Sequence, residues 1–316
     1  MSRLTRNDTA AFLKEHDHYA ILTHRRPDGD TLGSAAALCR CLRAMGKTAH
    51  ILENPEISDR FRWLHEGLTK AEAAEEDTIV SVDVASPNML GAAFSRYLDR
   101  VTLRIDHHAS ATSFTELELV DAGAGACAEI IYDLTEALEV TPDAAMADAL
   151  YVGTSTDTGC FRFSNTTAHT FRVAAACAAA GARVYDLNQA LFETNTLGRL
   201  KIQSWIVENL KVLACGSMAI VAIPKAVEES IGVTEDDMDN ISSFPRTLSG
   251  VCMAATLRQS AEEEIKLSVR AIPGYDATLV ASRFGGGGHK GAAGATLHMP
   301  LKDAADAVEK AMLQLC

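Results

Sequence analysis

The first half of the sequence alternates strand-like and helical patterns, and this alternation constrains the fold more than any other feature. The short apolar segments are 19–23, 49–54, 77–85 and 100–106, and stretches with helical spacing of apolar residues separate them. Strands and helices that alternate in this way form parallel sheets with helices on both faces. The sequence therefore predicts an α/β fold whose N-terminal domain holds a doubly wound parallel sheet.

The pattern changes in the second half of the chain. Helical patterns continue to about residue 212, and strand-like segments return from about 216 before a closing helix at 301–315. Mixed strands and helices of this kind predict a smaller C-terminal α+β domain. The expected domains are 1–195 and 216–316, joined by a helical connector at 196–215. In the first domain we expect helices that include 124–139, 142–153 and 167–180. In the second we expect strands at 217–224, 249–258 and 264–272.

The overall charge limits the size of any nucleic-acid partner. A net charge of −13 argues against long duplex nucleic acid, because that binding relies on many contacts between basic residues and phosphates. Small anionic substrates remain compatible, since a carboxylate cluster that binds divalent cations becomes locally positive.

The sequence also indicates the cellular compartment in which we expect the protein. No apolar run approaches the ~18 residues of a membrane span, and the first 18 residues are typical of an amphipathic helix rather than a signal peptide. The eight cysteines include no C-x-x-C pair, so we expect free thiols in a reducing cytoplasm rather than disulfides or a zinc site.

Three polar residues stand where the first strand gives way to a helix. His24, Asp28 and Asp30 lie in the stretch HRRPDGD, directly after the apolar segment 19–23. Open α/β sheets bind ligands at the carboxyl ends of their strands, and we expect these side chains in a loop at that edge. An Asx turn shaped by Pro27 with solvated carboxylates is the structural alternative.

Further acidic and histidine residues occupy equivalent places along the chain. Asp83 lies near the end of the segment 77–85. Asp106 is the last residue of the segment 100–106, and His107 and His108 follow it directly. Asp157 follows the expected helix at 142–153 and is expected to lie in a loop. Each residue alone has an ordinary explanation as a cap or turn residue. Their agreement in position predicts that the side chains converge on one crevice.

Converging carboxylates require cations, because several buried negative charges repel one another. Mixed imidazole and carboxylate ligands suit Mn²⁺, or Fe, Co or Zn, better than the all-oxygen sites typical of Mg²⁺ and Ca²⁺. The candidate ligands exceed the needs of one ion and fit a pair of ions about 3.5–4 Å apart.

These motifs resemble those of the DHH phosphoesterase superfamily, which includes RecJ exonucleases, family II inorganic pyrophosphatases and small NrnA-type oligoribonuclease/pAp phosphatases. HRRPDGD, Asp83, the DHH triplet and Asp157 match its four N-terminal motifs. In the second domain, SRFGGGGHKGAAG (282–294) and IKLSVR (265–270) resemble the glycine-rich signature and the S-x-R strand of the DHH-associated C-terminal domain. The resemblance spans almost the whole chain and is nearest to the NrnA-type group.

The resemblance implies a ligand set for two Mn²⁺ ions, with Mg²⁺ or Co²⁺ as substitutes. Asp83 would bridge the ions, and Asp106 would orient a histidine. His108 would contact a phosphate or donate a proton, with an orienting role beside the site as the alternative. One ion would be held by His24, Asp28 and Asp83, and the other by Asp30, Asp83, His107 and Asp157.

The glycine-rich stretch of the second domain predicts a substrate-binding segment. Glycines lack Cβ atoms, so backbone N–H groups can approach a phosphate or sugar closely, although a run of glycines is often only a flexible turn. Ser268 and Arg270 share one face of their strand and are candidates for the same phosphate. Arg258 and Arg283 are weaker candidates, because surface arginine is common. The remaining candidates are Gly286, Gly287, Gly288, His289 and Lys290.

The resulting hypothesis is a metal-dependent phosphoesterase with its site in the cleft between the domains. Its expected substrates are short single-stranded RNA or DNA oligonucleotides, cut to mononucleotides, and 3′-phosphoadenosine 5′-phosphate (pAp). A phosphodiesterase for linear or cyclic dinucleotides such as pApA is the nearest alternative. A pyrophosphatase is disfavoured because its basic C-terminal motif is absent, and a non-catalytic nucleotide-binding regulator is disfavoured because every ligand position is filled. A homodimer is compatible with the sequence.

Overall fold

The computed structural model describes residues 2–109, 112–213 and 216–315. The chain divides after Thr194 into two compact units. Each unit contains its own sheet, one of seven strands and one of six.

The sheet of the first unit is entirely parallel. Its strand order is β1-β7-β6-β5-β2-β3-β4, and each neighbouring pair runs in the same direction. This confirms the parallel sheet predicted from the sequence and adds three strands, β1, β4 and β7, that the apolar pattern did not indicate. The strands are β1 Ser2–Arg3, β2 Tyr19–Leu22, β3 Ala49–Leu52, β4 Thr69–Lys70, β5 Thr78–Val82, β6 Val101–Asp106 and β7 Leu117–Val120.

Helices cover both faces of this sheet, as a doubly wound fold requires. Alternate residues of β2 enter two separate cores: Tyr19 and Ile21 pack with the larger cluster, and Ala20 and Leu22 pack with the smaller one. The helices of the first unit are α1 Arg6–Glu15, α2 Gly29–Ala44, α3 Gly91–Phe94, α4 Cys127–Ala137, α5 Ala144–Asp157, α6 Ala168–Ala179 and α7 Val184–Asn188, followed by a π-helical turn at Gln189–Glu193.

Two glycines allow α2 and α5 to pack with their backbones almost in contact. A Cβ atom built on Gly33 would lie 2.3 Å from the carbonyl oxygen of Ala149 and 2.9 Å from the backbone nitrogen of Gly153, both on α5. At the end of the same contact, a Cβ atom on Gly29 would lie 2.4 Å from Oγ1 of Thr156. The close approach brings the amino end of α2 to the carboxyl end of α5.

The second unit is an α+β fold, as predicted. Its strand order is β12-β13-β11-β10-β9-β8, in which β9 and β10 run parallel and the other neighbours antiparallel. Its strands are β8 Lys211–Val212, β9 Met218–Ile223, β10 Met253–Ala261, β11 Glu264–Ala271, β12 Gly287–His289 and β13 Ala292–Leu297, and its helices are α8 Leu197–Asn209, α9 Lys225–Ile231, α10 Glu235–Met238, α11 Thr278–Ala281 and α12 Leu301–Leu313.

The segment expected as a connector, 196–215, contains α8. Ile202 and Ile206 of this helix are fully buried and pack with Val221 and Ile223 of β9. The helix is therefore part of the core of the second unit.

The described cysteines are free thiols, and four of them are buried: Cys39, Cys41, Cys127 and Cys177. Cys215 and Cys316 lie outside the described residues. Within the described ranges, none of the helices has the length and apolar character needed to cross a membrane.

The glycine contact between α2 and α5 gives a stability prediction. Replacing a helical glycine with alanine usually stabilises the helix by about 1 kcal/mol. Gly33→Ala should instead lower the free energy of unfolding by roughly 1–3 kcal/mol, because the new methyl group overlaps the backbone of α5. Denaturant unfolding of the whole protein measures the effect.

A matched control separates packing from helix propensity. The same Gly33→Ala change in an isolated peptide of residues 29–44 should raise its helicity, as measured by circular dichroism. An unchanged or increased stability of the full-length variant would contradict the packing role of Gly33.

Candidate functional site

The site lies at the carboxyl ends of three neighbouring strands. His24 follows β2 after one residue, Asp83 directly follows β5, and Asp106 is the last residue of β6, ahead of His107 and His108. The order β6-β5-β2 in the sheet places these strand ends side by side. The sequence-based expectation that the strand ends converge is consistent with this arrangement.

Two residues expected in loops lie in helices instead. Asp30 is in the first turn of α2, because the Asp28 side chain caps that helix by accepting bonds from the N–H groups of Asp30 and Thr31. Asp157 is the last residue of α5, which runs four residues beyond the expected end. Serine and threonine in its final turns suggested a loop, but the Thr156 hydroxyl donates to the carbonyl of Val152 at 2.8 Å, so the helix continues.

The side chains form two groups that meet at Asp83. In the first group, Nε2 of His24 lies 3.6 Å from Oδ1 of Asp28 and 3.6 Å from Oδ2 of Asp83. In the second group, Nε2 of His107 lies 3.8 Å from Oδ2 of Asp30, 3.8 Å from Oδ2 of Asp157 and 3.5 Å from Oδ1 of Asp83. The two carboxylate oxygens of Asp83 therefore face different groups.

Hydrogen bonds to backbone carbonyls set the tautomers of the two histidines. Nδ1 of His24 lies 2.7 Å from the carbonyl oxygen of Arg25, and Nδ1 of His107 lies 3.2 Å from that of Ala124. Because a carbonyl only accepts, each Nδ1 carries the proton in the neutral ring. In that neutral form each Nε2 has the lone pair, directed toward the carboxylates, that a metal ligand needs, whereas without a metal the facing carboxylates favour protonation of Nε2.

Asp83 has the backbone and burial typical of a constrained functional residue. Its φ angle is +58°, in the left-handed region that aspartate tolerates better than most residues. Its side chain is 3% exposed, and Oδ1 has no hydrogen-bond partner among the described residues. A buried carboxylate oxygen without a donor is costly unless a cation neutralises it. This unpartnered oxygen, together with the mixed nitrogen and oxygen donors, fits a divalent metal ion.

Asp30 is held by the amino end of α4. Its Oδ2 accepts a bond from the N–H of Cys127 at 2.6 Å, and its Oδ1 accepts from the N–H of Ala128 at 2.9 Å and from the Ser34 hydroxyl at 3.1 Å. The amino end of a helix favours negative charge. The carboxylate is therefore fixed in position before any ligand binds.

Crowding of the carboxylates shifts the pKa values of the site. Burial and the neighbouring Asp30 raise the pKa of Asp83 to about 7 and that of Asp157 to about 8. Burial opposes protonation of the histidines, yet the facing carboxylates raise the pKa of His24 to about 11 and that of His107 to about 9. Shared protons reduce the repulsion among the carboxylates, and divalent cations would take over that role.

His108 is oriented by a buried chain of charges. Its Nδ1 lies 2.8 Å from Oδ1 of Asp106, which raises the pKa of His108 and lowers that of Asp106 despite the burial of both groups. Arg104, 2% exposed, lies 3.9 Å from the other oxygen of Asp106 and 3.2 Å from Oε2 of Glu118. Sequence reasoning missed Arg104, although a charged residue in the apolar strand VTLRID was a usable signal.

Two asparagines that the sequence analysis also missed support the ligand groups. Asn54 donates from Nδ2 to the carbonyl oxygen of His24 at 2.8 Å. Asn165 donates from Nδ2 to Oδ2 of Asp157 at 3.3 Å and to the carbonyl of Gly125 at 2.8 Å. Both residues stand in loops without a distinctive pattern, so no sequence signal marked them.

The substrate candidates of the second unit are distributed along β11 and the hairpin of β12 and β13. Ser268 and Arg270 share one face of β11, while Leu267 and Val269 enter the core on the other. Ser268 pairs with Gly294 of β13, which in turn pairs with Gly287 of β12. The backbone thus brings the S-x-R strand and the glycine-rich segment into one sheet.

The glycines of this segment have different physical roles. A Cβ atom on Gly286 would lie 2.1 Å from the carbonyl oxygen of Gly294, and Gly288 has a φ of +144° with equally little space, so both are needed for the packing of the hairpin. A Cβ atom on Gly287 would meet no heavy atom within 4 Å among the described residues, which leaves open space above its backbone. His289 ends the same strand and is exposed, as is Lys290 beyond it.

The two weaker arginine candidates are engaged within the second unit. Arg258 forms ion pairs with Glu228 and Glu235. Arg283 donates to the side chain of Gln314 and to the carbonyl of Ala311. These contacts use the guanidinium donors for internal bonds.

Comparison with known families agrees with the two-unit fold. Residues 18–154 match the family described as "DHH family, N-terminal domain", and residues 218–315 match the "DHHA1 domain". A bifunctional oligoribonuclease and PAP phosphatase NrnA from Thermus thermophilus is 33% identical over 287 residues, covering 88% of this chain and 83% of the relative. The chain belongs to the DHH family.

Solved structures share the two-domain fold. An exopolyphosphatase-related protein from Bacteroides fragilis superimposes with a TM-score of 0.88 at 21% identity, covering 98% of this chain and 96% of the other. RecJ from Thermus thermophilus, crystallised in complex with Mn²⁺, superimposes with a TM-score of 0.57 at 18% identity, covering 98% of this chain and 55% of RecJ.

The raised pKa values predict how stability depends on pH in chelator-treated protein. Asp83 and Asp157 hold protons in the folded state that they lose at the ordinary value of 3.8 when unfolded, and His24 and His107 hold protons beyond their ordinary 6.5. The folded state thus binds more protons, and the free energy of unfolding should fall as pH rises from about 6.5 to about 8. Thermal unfolding at a series of pH values measures this.

Added Mn²⁺ supplies the control. The cation favours the ionised carboxylates, so the decline should shrink or reverse in its presence, and the stabilisation by metal should grow with pH. Burial lowers the pKa of His65 to about 4, so this histidine takes up a proton on unfolding mainly below its ordinary value of 6.5 and opposes the decline only at the acid edge of the window. A melting temperature of the chelator-treated protein that stays constant or rises across the window would contradict the prediction.

Proposed function

We propose that the chain is a phosphoesterase that uses two divalent cations. The observation that carries the proposal is the carboxylate of Asp83, whose two oxygens lie 3.6 Å and 3.5 Å from histidines of two different groups. One ion would be held by His24, Asp28 and Asp83, and the other by Asp30, Asp83, His107 and Asp157. Mn²⁺ is the favoured ion because it accepts mixed imidazole and carboxylate ligands, with Mg²⁺ and Co²⁺ as substitutes.

The residues of the site have two proposed roles in hydrolysis: most of them hold the cations in fixed positions, and one transfers a proton. When bound, such a pair of cations activates a water molecule and stabilises the charge that develops on the phosphoryl group. Asp30 and Asp83 keep the ligand groups at fixed positions through the α4 amino end and the constrained backbone. The protein thus supplies a preorganised site that needs little rearrangement during the reaction.

His108 is the proposed proton donor to the leaving group. Asp106 accepts from Nδ1 and favours the protonated ring, which leaves the Nε2 proton available for transfer. Arg104 in turn holds Asp106 from behind. A purely orienting role is the alternative, but the ring is 32% exposed and Nδ1 is only 3.5 Å from Oδ1 of Asp83, so it borders the metal ligands directly.

The proposed substrates are short oligonucleotides and pAp, the activities in the name of the Thermus thermophilus relative. Ser268, Arg270, the glycine-rich segment and His289 are the proposed contacts of the second unit. Arg270 supports this role because it has no carboxylate within 4.0 Å among the described residues, and its nearest bond is to the carbonyl of Val269. Burial and the nearby Arg246 lower its pKa, so the local environment favours an anion.

Paired substitutions test the division between chemistry and recognition. Asp83→Ala should remove activity on short oligonucleotides to below detection and reduce the bound metal measured by mass spectrometry, because both ions lose a ligand. Arg270→Ala should keep the metal content and raise KM by about ten- to a hundredfold, the loss of one charge-assisted phosphate contact. Asp59→Ala, on a 92% exposed side chain, is the matched control for loss of a carboxylate.

The opposite results would overturn the assignments. Full activity of Asp83→Ala in chelator-treated buffer would end the two-cation proposal. Loss of metal in Arg270→Ala would show that the second unit is structural for the metal site rather than a substrate-binding unit.

Substrate length distinguishes the proposed activity from its rivals. A surface with a net charge of −13 should repel a growing polyphosphate chain beyond the site, and an aromatic content of 6% offers few stacking positions for it. At fixed salt, kcat/KM should be highest on oligomers of two to about five nucleotides, fall on long strands and be negligible on duplexes. The panel includes pAp, pApA, cyclic dinucleotides and pyrophosphate.

Other outcomes of this substrate panel would favour one of the alternative activities. A rate that rises steadily to tens of nucleotides would favour a processive exonuclease of the RecJ kind. Preference for pApA or cyclic dinucleotides would favour the dinucleotide phosphodiesterase, and turnover of pyrophosphate alone would favour the pyrophosphatase.

A further inference from the structure

A cavity of about 260 Å³ opens beside His108 in the first unit. Arg3 of β1, Arg104 of β6 and Glu118 of β7 also line it. This volume is below the roughly 300–1,000 Å³ of pockets that enclose drug-sized ligands, so the cavity suits one part of a nucleotide rather than all of it. Its position next to the metal ligands makes it a candidate subsite of the same active site.

Two of the charged groups in the cavity wall neutralise each other. The guanidinium of Arg104 lies 3.2 Å from Oε2 of Glu118 and donates to the carbonyls of Ala85 and Thr112 at 3.3 Å and 3.1 Å. Glu118 also accepts a bond from the Ser113 hydroxyl. This pair therefore contributes little net charge to the cavity.

Arg3 is the remaining charged side chain in the wall of the cavity. The strand β1 pairs in parallel with β7, and its register places Arg3 beside Glu118 at the edge of the sheet. The side chain of Arg3 is exposed, and no carboxylate of the described residues lies within 4.0 Å of its guanidinium. A solvated surface arginine is common, but this one lines the same cavity as the imidazole proposed as the proton donor.

The cavity therefore combines an unpaired guanidinium with a histidine whose Nδ1 is occupied by Asp106. The guanidinium favours an anion, and a phosphate is the anion that the proposed substrates carry in addition to the one that is cleaved. We propose that Arg3 is a specificity-determining residue that binds a non-scissile phosphate of the substrate. The proposal rests on the proposed phosphoesterase function and adds a phosphate subsite to the first unit.

Kinetics on substrates with and without a second phosphate test the subsite. Arg3→Gln should raise KM for pAp and pApA by roughly three- to tenfold, the effect of one partly solvated charged contact, with kcat little changed. Turnover of bis-p-nitrophenyl phosphate, which has a single phosphate, should stay as in the wild type. Arg3→Lys should restore most of the affinity because it keeps the charge.

The controls separate this proposal from the general one. Arg62→Gln removes an exposed arginine that pairs with Asp59, and its KM for pAp should equal that of the wild type. If Arg3→Gln behaves like Arg62→Gln, or loses activity equally on bis-p-nitrophenyl phosphate, the Arg3 subsite is wrong while the proposed function stands. If the wild type hydrolyses bis-p-nitrophenyl phosphate but neither pAp nor any oligonucleotide, the proposed function fails instead. Thermal unfolding of Arg3→Gln shows whether β1 still docks.

Discussion

The contact between Asp30 and the amino end of α4 holds the first unit and its site together. The carboxylate accepts bonds from the N–H groups of Cys127 and Ala128, and it also lies against Gly153 of α5, where a Cβ atom would come within 2.9 Å of Oδ1. One side chain on α2 therefore contacts two other helices. Because the same carboxylate faces His107, the position of the second ligand group depends on how these helices pack.

The arrangement explains how a chain can gather so many carboxylates without losing its fold. Each carboxylate has a local source of positive charge or hydrogen bonds: α4 for Asp30, His24 for Asp28, and Arg104 with His108 for Asp106. Two carboxylate oxygens of the site, Oδ1 of Asp83 and Oδ2 of Asp106, have no hydrogen-bond partner among the described residues. Oδ2 of Asp106 has the Arg104 guanidinium 3.9 Å away, whereas Asp83 lies between the two ligand groups, where a cation is most effective.

The sequence was sufficient to predict the parallel sheet and the strand ends that carry His24, Asp83 and His107, because strand patterns and the rule for parallel sheets are local and general. It was insufficient for Asp157, since hydroxyl side chains that usually favour turns here bond to carbonyls within the helix. It was also insufficient for Arg104, whose partner Glu118 lies on β7, a strand that the apolar pattern of the sequence did not indicate. Contacts between distant segments decide such residues, and periodicity does not reveal them.

The glycines of the second unit also show what the sequence alone could not predict. The glycines of 285–288 suggested contact with a ligand, yet Gly286 and Gly288 are first required by the neighbouring strand β13. A Cβ atom on Gly285 or Gly287 would meet no heavy atom within 4 Å among the described residues, but Gly285 has a φ of +72°, so of the four only Gly287 has open space without a backbone or packing requirement for glycine. Close packing and ligand binding both require glycine, and only the three-dimensional structure distinguishes the two reasons.

The glycine contact between α2 and α5 also matters for engineering. With backbone against backbone at Gly33, the two helices have no side chains in that contact whose repacking could absorb a change in spacing. The distance between the ligands at their ends is consequently set by the main chain. A designer who wishes to move the site to another scaffold must transfer the helix pair as a single block, and one who wishes to admit a larger ion must lengthen a ligand side chain rather than loosen the fold.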